Sequence, residues 1–219
     1  MIIFYRIPNE SPNMIKVSVM LNEAGLPFVE KIIDSDEEKE ELFAISPNGT
    51  TPAIVDTETG ATLFESGAII LYLAEKSGKL IPSDEKTRAD VLKWLMFESS
   101  NVCPTMIELH YYILNDFGQY PDSIVERYKQ RLMSYCTILN ERLKESEYLA
   151  GGYSVADVIM YPWIVTLEDF AEINLADYSF LNNWAMNIGE HLKTIETTQT
   201  PLEQRDWCYK NSEFAFCSA

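Results

Sequence analysis

Residues 50–56 have the sequence TTPAIVD, and residues 64–70 have the sequence FESGAII. A proline before an apolar triplet cannot donate to a sheet ladder, so Pro52 is expected at the very start of an edge strand or of a strand that leaves a turn. A cis peptide is cheap only before proline, and a cis bond here would turn the main chain of Thr51 outward, where an extended peptide could pair with it. Glu65 and Ser66 lie where a strand gives way to a helix, whose free N–H groups bind carboxylates. The sequence therefore predicts a site for a peptide with a free carboxylate.

The segments around this stretch show strand and helix patterns in turn. The acidic helix predicted at residues 37–45 has a solvated face. The helix at residues 66–76 is expected to be capped by Ser66 and to end near Gly78. The predicted strands are residues 2–7, 28–33, 53–55 and 61–64, and the first predicted helix is residues 14–24. The order β-α-β followed by α-β-β-α is the thioredoxin-like arrangement.

After a linker at about residues 77–87, no strand pattern recurs. Pro104 is expected to kink the first helix beyond the linker, and Ser154 with Asp157 forms a capping pair before an apolar run. The predicted helices are residues 87–115, 123–146, 154–171, 179–192 and 198–205. The chain is therefore expected to form two domains, residues 1–81 and residues 88–219.

Composition excludes several classes of partner. The 219 residues carry a net charge of −17, from 17 basic and 34 acidic side chains, which opposes binding to nucleic acid or to an anionic membrane. The longest apolar run, residues 68–74, is too short to span a bilayer, and the N-terminus lacks the features of a signal peptide. The four cysteines match no disulfide framework and no zinc pattern. We expect a cytoplasmic protein without a metal site.

Over nearly its whole length, roughly residues 2–205, the chain resembles the cytosolic glutathione transferases, and within them it is most similar to the bacterial nu class. The further segments that carry the resemblance are Pro12-Asn13, SPNG at residues 46–49, YLAEK at residues 72–76 and YSVADV at residues 153–158. The resemblance implies an α+β two-domain fold, with a thioredoxin-like N-terminal domain and an all-helical C-terminal domain, in a homodimer. It also implies that the protein binds glutathione or glutathione disulfide and reduces small disulfides by thiol–disulfide exchange.

The resemblance assigns roles to residues of the N-terminal domain. Ser11 and Asn13 match the motif whose side chains donate to the glutathione thiolate, although Ser-Pro-Asn is also good turn and N-cap chemistry. Glu65 and Ser66 would hold the γ-glutamyl amine and carboxylate, and Thr51 would offer its main chain beside Pro52.

Thr50 stands where nu-class enzymes commonly carry a lysine, so contact with the glycyl carboxylate is expected to be weaker. Because glutathione is anionic and the protein acidic, any cation near the site gains importance.

The resemblance also assigns roles to residues of the second domain. Arg127 matches an arginine that reaches glutathione from the neighbouring subunit; alternatively it pairs along an acidic helix. His110, Tyr111 and Tyr112 lie where the family forms its hydrophobic substrate pocket, although an aromatic cluster on a helix is more often core. Tyr5 could activate the thiol, as in other classes, but its place within a strand favours the core.

Two alternatives to disulfide reduction remain, namely conjugation to an electrophile and a non-catalytic role. No cysteine lies in the segment before the first helix, so the attacking sulfur must come from bound glutathione rather than from the protein. The same thiolate could instead be conjugated to an electrophile. A non-catalytic binding or scaffold protein with this fold is favoured by Thr50 and the acidity, and is opposed by the intact motifs at Ser11–Asn13 and Glu65–Ser66.

Overall fold

The computed structural model describes residues 1–8, 11–114 and 120–195. Its two compact units are built on Met1–Leu80 and on Ile81–Thr194. The helix predicted at residues 198–205 lies outside the described residues, as do Cys208 and Cys217. Within the described ranges, no helix combines the length and apolar character needed to cross a membrane.

The first unit is a four-stranded mixed sheet with three helices. In the order β2-β1-β3-β4, β1 runs parallel to β2, while β3 runs antiparallel to both β1 and β4. The elements are β1 Ile2–Arg6, α1 Pro12–Ala24, β2 Phe28–Ile32, α2 Asp36–Phe43, β3 Ala53–Asp56, β4 Thr62–Phe64 and α3 Ser66–Ser77. This is the thioredoxin-like arrangement predicted from the sequence.

Pro52 lies directly before β3, which is an interior strand rather than an edge strand. Ala53 is the first residue of β3 in register with both neighbours, opposite Tyr5 of β1 and Phe64 of β4. The missing N–H of Pro52 therefore falls just outside the ladder, where it removes no strand hydrogen bond. An interior strand tolerates Pro52 here because the proline precedes the paired residues.

The second unit is helical. Its elements are α4 Glu85–Phe97, a π-helical turn Glu98–Val102, α5 Cys103–Leu114, α6 Asp122–Glu145, α7 Val155–Ile164, α8 Leu167–Ala171, a 3₁₀ turn Leu175–Asp177 and α9 Ser179–Thr194. The sequence predicted one kinked helix where α4, the π-helical turn and α5 lie. Pro104 has no N–H for the carbonyl of Ser100, and the wider turn accommodates that loss just before the proline.

The helix predicted at residues 154–171 is two helices, of which α7 is completely buried. Asp157 Oδ2 accepts a hydrogen bond from Ser154 N at 3.1 Å, which closes the predicted capping box. Its Oδ1 accepts bonds from Leu149 N and Trp184 Nε1, both at 3.0 Å. The box therefore joins α7 to the preceding loop and to α9.

Candidate active site

Three of the predicted segments meet in the first unit: the start of α1, the residues before β3 and the start of α3. Ser66 Oγ donates to Asn13 Oδ1 at 3.4 Å, which joins α3 to α1. Thr51 Oγ1 lies 3.8 Å from Met14 Sδ, to which it donates a weak hydrogen bond. Residues far apart in sequence thus form one cluster.

The Thr51–Pro52 peptide bond is cis, as the sequence predicted. Thr51 precedes the first paired residue of β3, and its side chain is buried. Among the main-chain hydrogen bonds between described residues outside helices and strands, none involves Thr51. Its main chain is therefore not used by the sheet, which is what pairing with an added peptide requires. Thr50 turns its hydroxyl to Ser46 Oγ at 3.4 Å.

Glu65 has an unusual backbone conformation, with φ 71° and ψ 113°, and it occupies the N-cap position of α3. Residues other than glycine adopt such angles at a cost of about 1–3 kcal/mol, and they concentrate at ligand sites. The prediction that Ser66 caps this helix was wrong, because Ser66 is the first helical residue and its hydroxyl bonds to Asn13 instead. Glu65 makes no side-chain capping bond, so the first N–H groups of α3 suit an anion.

Ser11 and Asn13 have different surroundings at the start of α1. Ser11 is the N-cap, and its Oγ accepts from Met14 N at 3.3 Å, which leaves its hydroxyl proton for another acceptor. Asn13 is only partly buried, and its Oδ1 accepts from Lys16 Nζ at 2.6 Å as well as from Ser66. An ammonium can only donate, so the oxygen of the amide must face Lys16, and Nδ2 is the donor end.

Lys16 is a residue of this cluster that sequence reasoning missed. Its side chain is 0% exposed, in a helix that is otherwise largely apolar. The available signal was its spacing, since a residue three positions after Asn13 lies on the same side of a helix.

Tyr5 is excluded as an activator of a thiol. Its hydroxyl donates to Glu41 Oε1 at 2.8 Å, and its ring belongs to a buried cluster with Ile33 and Leu42. Burial, together with the hydrogen bond to Glu41 and the charge of that carboxylate, raises the pKa of Tyr5 to about 12. The favoured prediction of a core residue is confirmed.

The predicted residues of the helical unit separate into core and surface. His110 is buried, with its ring centre 4.3 Å from that of Phe170, and burial lowers its pKa to about 4. Tyr111 is exposed. Tyr112 lines a cavity of about 250 Å³, whose other lining residues are Ile124, Arg127, Tyr128 and Arg131.

Arg127 therefore lies beside phenol rings and a second guanidinium. Ion pairs of α6 between described residues use Lys129 and Lys144 rather than Arg127. Arg131 lies over the ring of Tyr128, with its guanidinium carbon 5.9 Å from the ring centre. Two cations beside aromatic rings suit an anionic ligand.

Comparison with known proteins places the chain in a family. Residues 10–76 match the model described as "Glutathione S-transferase, N-terminal domain". Disulfide-bond oxidoreductase YfcG of Escherichia coli K12 is 35% identical over 185 residues, which span 80% of this chain and 84% of that protein. The chain belongs to the glutathione transferase family.

Solved structures of other family members resemble this glutathione transferase family protein over most of its length. A Pseudomonas fluorescens member with two glutathione bound has a TM-score of 0.76 and 31% identity, covering 85% of this chain and 87% of that one. A Pseudomonas putida glutathione transferase with glutathione disulfide bound has a TM-score of 0.78 and 29% identity, covering 89% and 91%. The predicted two-domain fold is thus confirmed.

Among the described residues of this family member, the first unit contains no cysteine. Cys103 and Cys136 both belong to the helical unit, and burial raises the pKa of Cys136 to about 12. Within the described residues, no group of three or more His, Cys, Asp or Glu side chains could hold a metal ion. Among the residues that the structure describes, the cluster at Asn13 and Ser66 consists of hydrogen-bond donors and acceptors together with the cation of Lys16.

Proposed function

We propose that this protein is a glutathione-dependent disulfide-bond reductase of nu-class type. It binds glutathione or glutathione disulfide and reduces small disulfides by thiol–disulfide exchange. The observation that carries the proposal is the Ser66–Asn13 hydrogen bond, because it joins the helix start suited to a carboxylate to the side chain suited to a thiolate. The name of the YfcG relative, and the ligands of the Pseudomonas proteins, support the same chemistry.

The cysteinyl and γ-glutamyl parts of glutathione have partners in the first unit. Its cysteinyl main chain pairs with Thr51, and its γ-glutamyl carboxylate accepts from the first N–H groups of α3, where the helix dipole also favours an anion. The exposed carboxylate of Glu65 takes the γ-glutamyl amine. This placement brings the sulfur to the start of α1, where Ser11 Oγ–H and Asn13 Nδ2–H donate to it.

The reaction follows from a stabilised thiolate. The glutathione thiolate attacks one sulfur of the substrate disulfide, the sulfur–sulfur bond breaks, and the leaving thiolate takes up a proton. A second glutathione thiolate then attacks the glutathione sulfur of the mixed disulfide and expels the remaining substrate thiol. In total, two glutathione molecules are oxidised to glutathione disulfide, and one substrate disulfide is reduced to two thiols.

We also propose a cytoplasmic homodimer, with a glutathione-binding domain at residues 1–81 and a substrate-pocket domain at residues 88–219. In that dimer Arg127 reaches glutathione held by the neighbouring subunit, and Tyr111 and Tyr112 belong to the substrate pocket. The two-cation cavity beside Tyr112 supports a role for Arg127 in binding an anion. Light scattering that gives the mass of a monomer would contradict this assembly.

Calorimetric titration with glutathione and with its disulfide tests the function, followed by assays of hydroxyethyl disulfide reduction and chlorodinitrobenzene conjugation. We expect binding of both ligands and faster reduction than conjugation. If neither ligand gives a heat of binding, the protein is non-catalytic. Conjugation without reduction would indicate a transferase.

The substitution Asn13→Ala tests the choice of thiolate donor. Losing a hydrogen bond to a charged group weakens stabilisation by about 1.5–3 kcal/mol, so kcat/KM for disulfide reduction should fall at least roughly tenfold. Asn22→Ala is the matched control, because Asn22 is on the same helix but bonds to Ser18 O. Unchanged reduction by Asn13→Ala would show that Asn13 is not the activator.

A further inference from the structure

Lys16 is a buried cation in the candidate active site. Its side chain is 0% exposed, and it lies in the second turn of α1, near the positive end of the helix dipole. Removing an ammonium from water costs several kcal/mol unless hydrogen bonds and charges compensate. The hydrogen bond from Lys16 Nζ to Asn13 Oδ1 at 2.6 Å is one such compensation, and it connects the buried charge directly to a residue of the candidate active site.

We propose that Lys16 is the positioning residue of the thiolate site. The inference rests on the proposed function, in which Asn13 donates to the glutathione sulfur. Lys16 Nζ donates to Asn13 Oδ1 at 2.6 Å, and Ser66 Oγ donates to the same atom at 3.4 Å. Two donors on the oxygen fix the rotation of the amide, so that Nδ2 is the end that donates and Oδ1 is turned to Lys16 and Ser66. The ammonium also polarises the amide, which strengthens its N–H donors.

The charge of Lys16 acts on the thiolate as well. A cation within several ångströms of an acid favours its ionised form and lowers its pKa by about 1–3 units. Other charged groups of the first unit act differently. Arg6, at the end of β1, is paired with Glu30 at 3.2 Å, and Glu65 is an anion that opposes ionisation of a thiol. Glu10 lies outside the described residues.

Lys16 also bears on a departure from the family pattern. Thr50 stands in place of the lysine common in nu-class enzymes, and its hydroxyl bonds to Ser46. In an acidic protein, the cation that contacts Asn13 thus supplies positive charge from inside α1. Burial protects this charge from screening by salt, since buried charges are screened much less than exposed ones.

The ultraviolet absorbance of the thiolate, followed against pH with glutathione bound, tests the inference. We expect Lys16→Met to raise the pKa of the bound thiol by about one unit, and to lower kcat/KM about tenfold below that pKa but little above it. Lys16→Gln keeps a donor for Asn13 Oδ1 without the charge, so its shift should be smaller. Lys79→Met is the control, because Lys79 is exposed and donates to Glu23 O in the same unit.

The outcomes separate this inference from the proposed function. Wild-type protein that binds glutathione without lowering the pKa of its thiol would overturn both. A lowered pKa in the wild type that persists in Lys16→Met would overturn only the role of Lys16. A lower melting temperature with an unshifted pH profile would likewise show a merely structural role. If Lys16→Met does not fold, Lys16→Gln carries the test: we expect a smaller rise in the pKa of the bound thiol, and no rise would overturn the role of Lys16.

Discussion

Burial fixes the charge of His110, which packs against Phe170 and Trp163 in the helical unit. Because its pKa is lowered to about 4 in the folded protein, the unfolded chain binds the extra proton first as pH falls below about 6.5. Stability from the neutral ring is therefore complete above pH 6.5 and is lost on acidification. We expect the free energy of unfolding, from urea titrations, to fall by roughly 2 kcal/mol between about pH 6.5 and 5.

His110→Phe is the matched variant for this prediction. Phenylalanine keeps an aromatic ring beside Phe170 but binds no proton, so the decline in unfolding free energy over that range should largely disappear. The carboxylates titrate identically in both proteins. The difference between the two slopes of unfolding free energy against pH therefore gives the contribution of the imidazole. Equal slopes would mean that His110 binds a proton as readily in the folded protein as in the unfolded chain.

The clustering of the candidate site residues could be predicted from sequence where a residue type has a local reason for its position. Proline before a strand and polar residues at helix starts have such reasons, and they indicated Pro52, Asn13 and Ser66. Lys16 was missed because the apolar spacing of α1 predicts one buried face, whereas the helix is buried around most of its circumference. The backbone angles of Glu65 could not be predicted from sequence either, because nothing local in a glutamate favours positive φ.

Two helices begin with the same capping device in different surroundings. Asp157 is fully buried and bonds to Ser154, Leu149 and Trp184, whereas the Ser35–Glu38 box of α2 is largely exposed. Asp157→Ala leaves several buried donors without an acceptor, at about 1–3 kcal/mol each, so we expect a total loss of about 3 kcal/mol or more. Urea denaturation gives the value.

Glu38→Ala is the comparison for Asp157→Ala. Water replaces the lost acceptor at the exposed box, so the variant should remain close to wild type in unfolding free energy. Similar losses in the two variants would show that the box itself matters more than its burial.

Element boundaries were predictable where a helix has a capping signal and less so within long helical stretches. Gly25 and Gly78 end α1 and α3 in the left-handed conformation, as the sequence indicated. The break before Pro104 depends on how the chain compensates for one missing N–H, and a π-helical turn and a simple kink both do so. Sequence alone does not choose between them.

At the scale of the whole molecule, the acidic charge opposes the proposed ligand. The net charge is −17, and glutathione disulfide is itself anionic at neutral pH. This repulsion acts over the Debye length, about 30 Å at 0.01 M salt and about 8 Å at 0.15 M, whereas the buried ammonium of Lys16 is screened much less. Salt should therefore weaken the repulsion more than the local attraction.

We expect the association rate constant for glutathione disulfide to rise about threefold between 0.01 M and 0.15 M salt, measured by stopped-flow fluorescence, because long-range charge acts mainly on encounter. Glutathione carries less negative charge, so its rate should change less. Replacing the exposed Glu37 and Glu40 of α2 with lysine removes negative charge from the first unit and should flatten the salt dependence. A rate that falls with salt would show instead that local cations attract the ligand from a distance and dominate its approach.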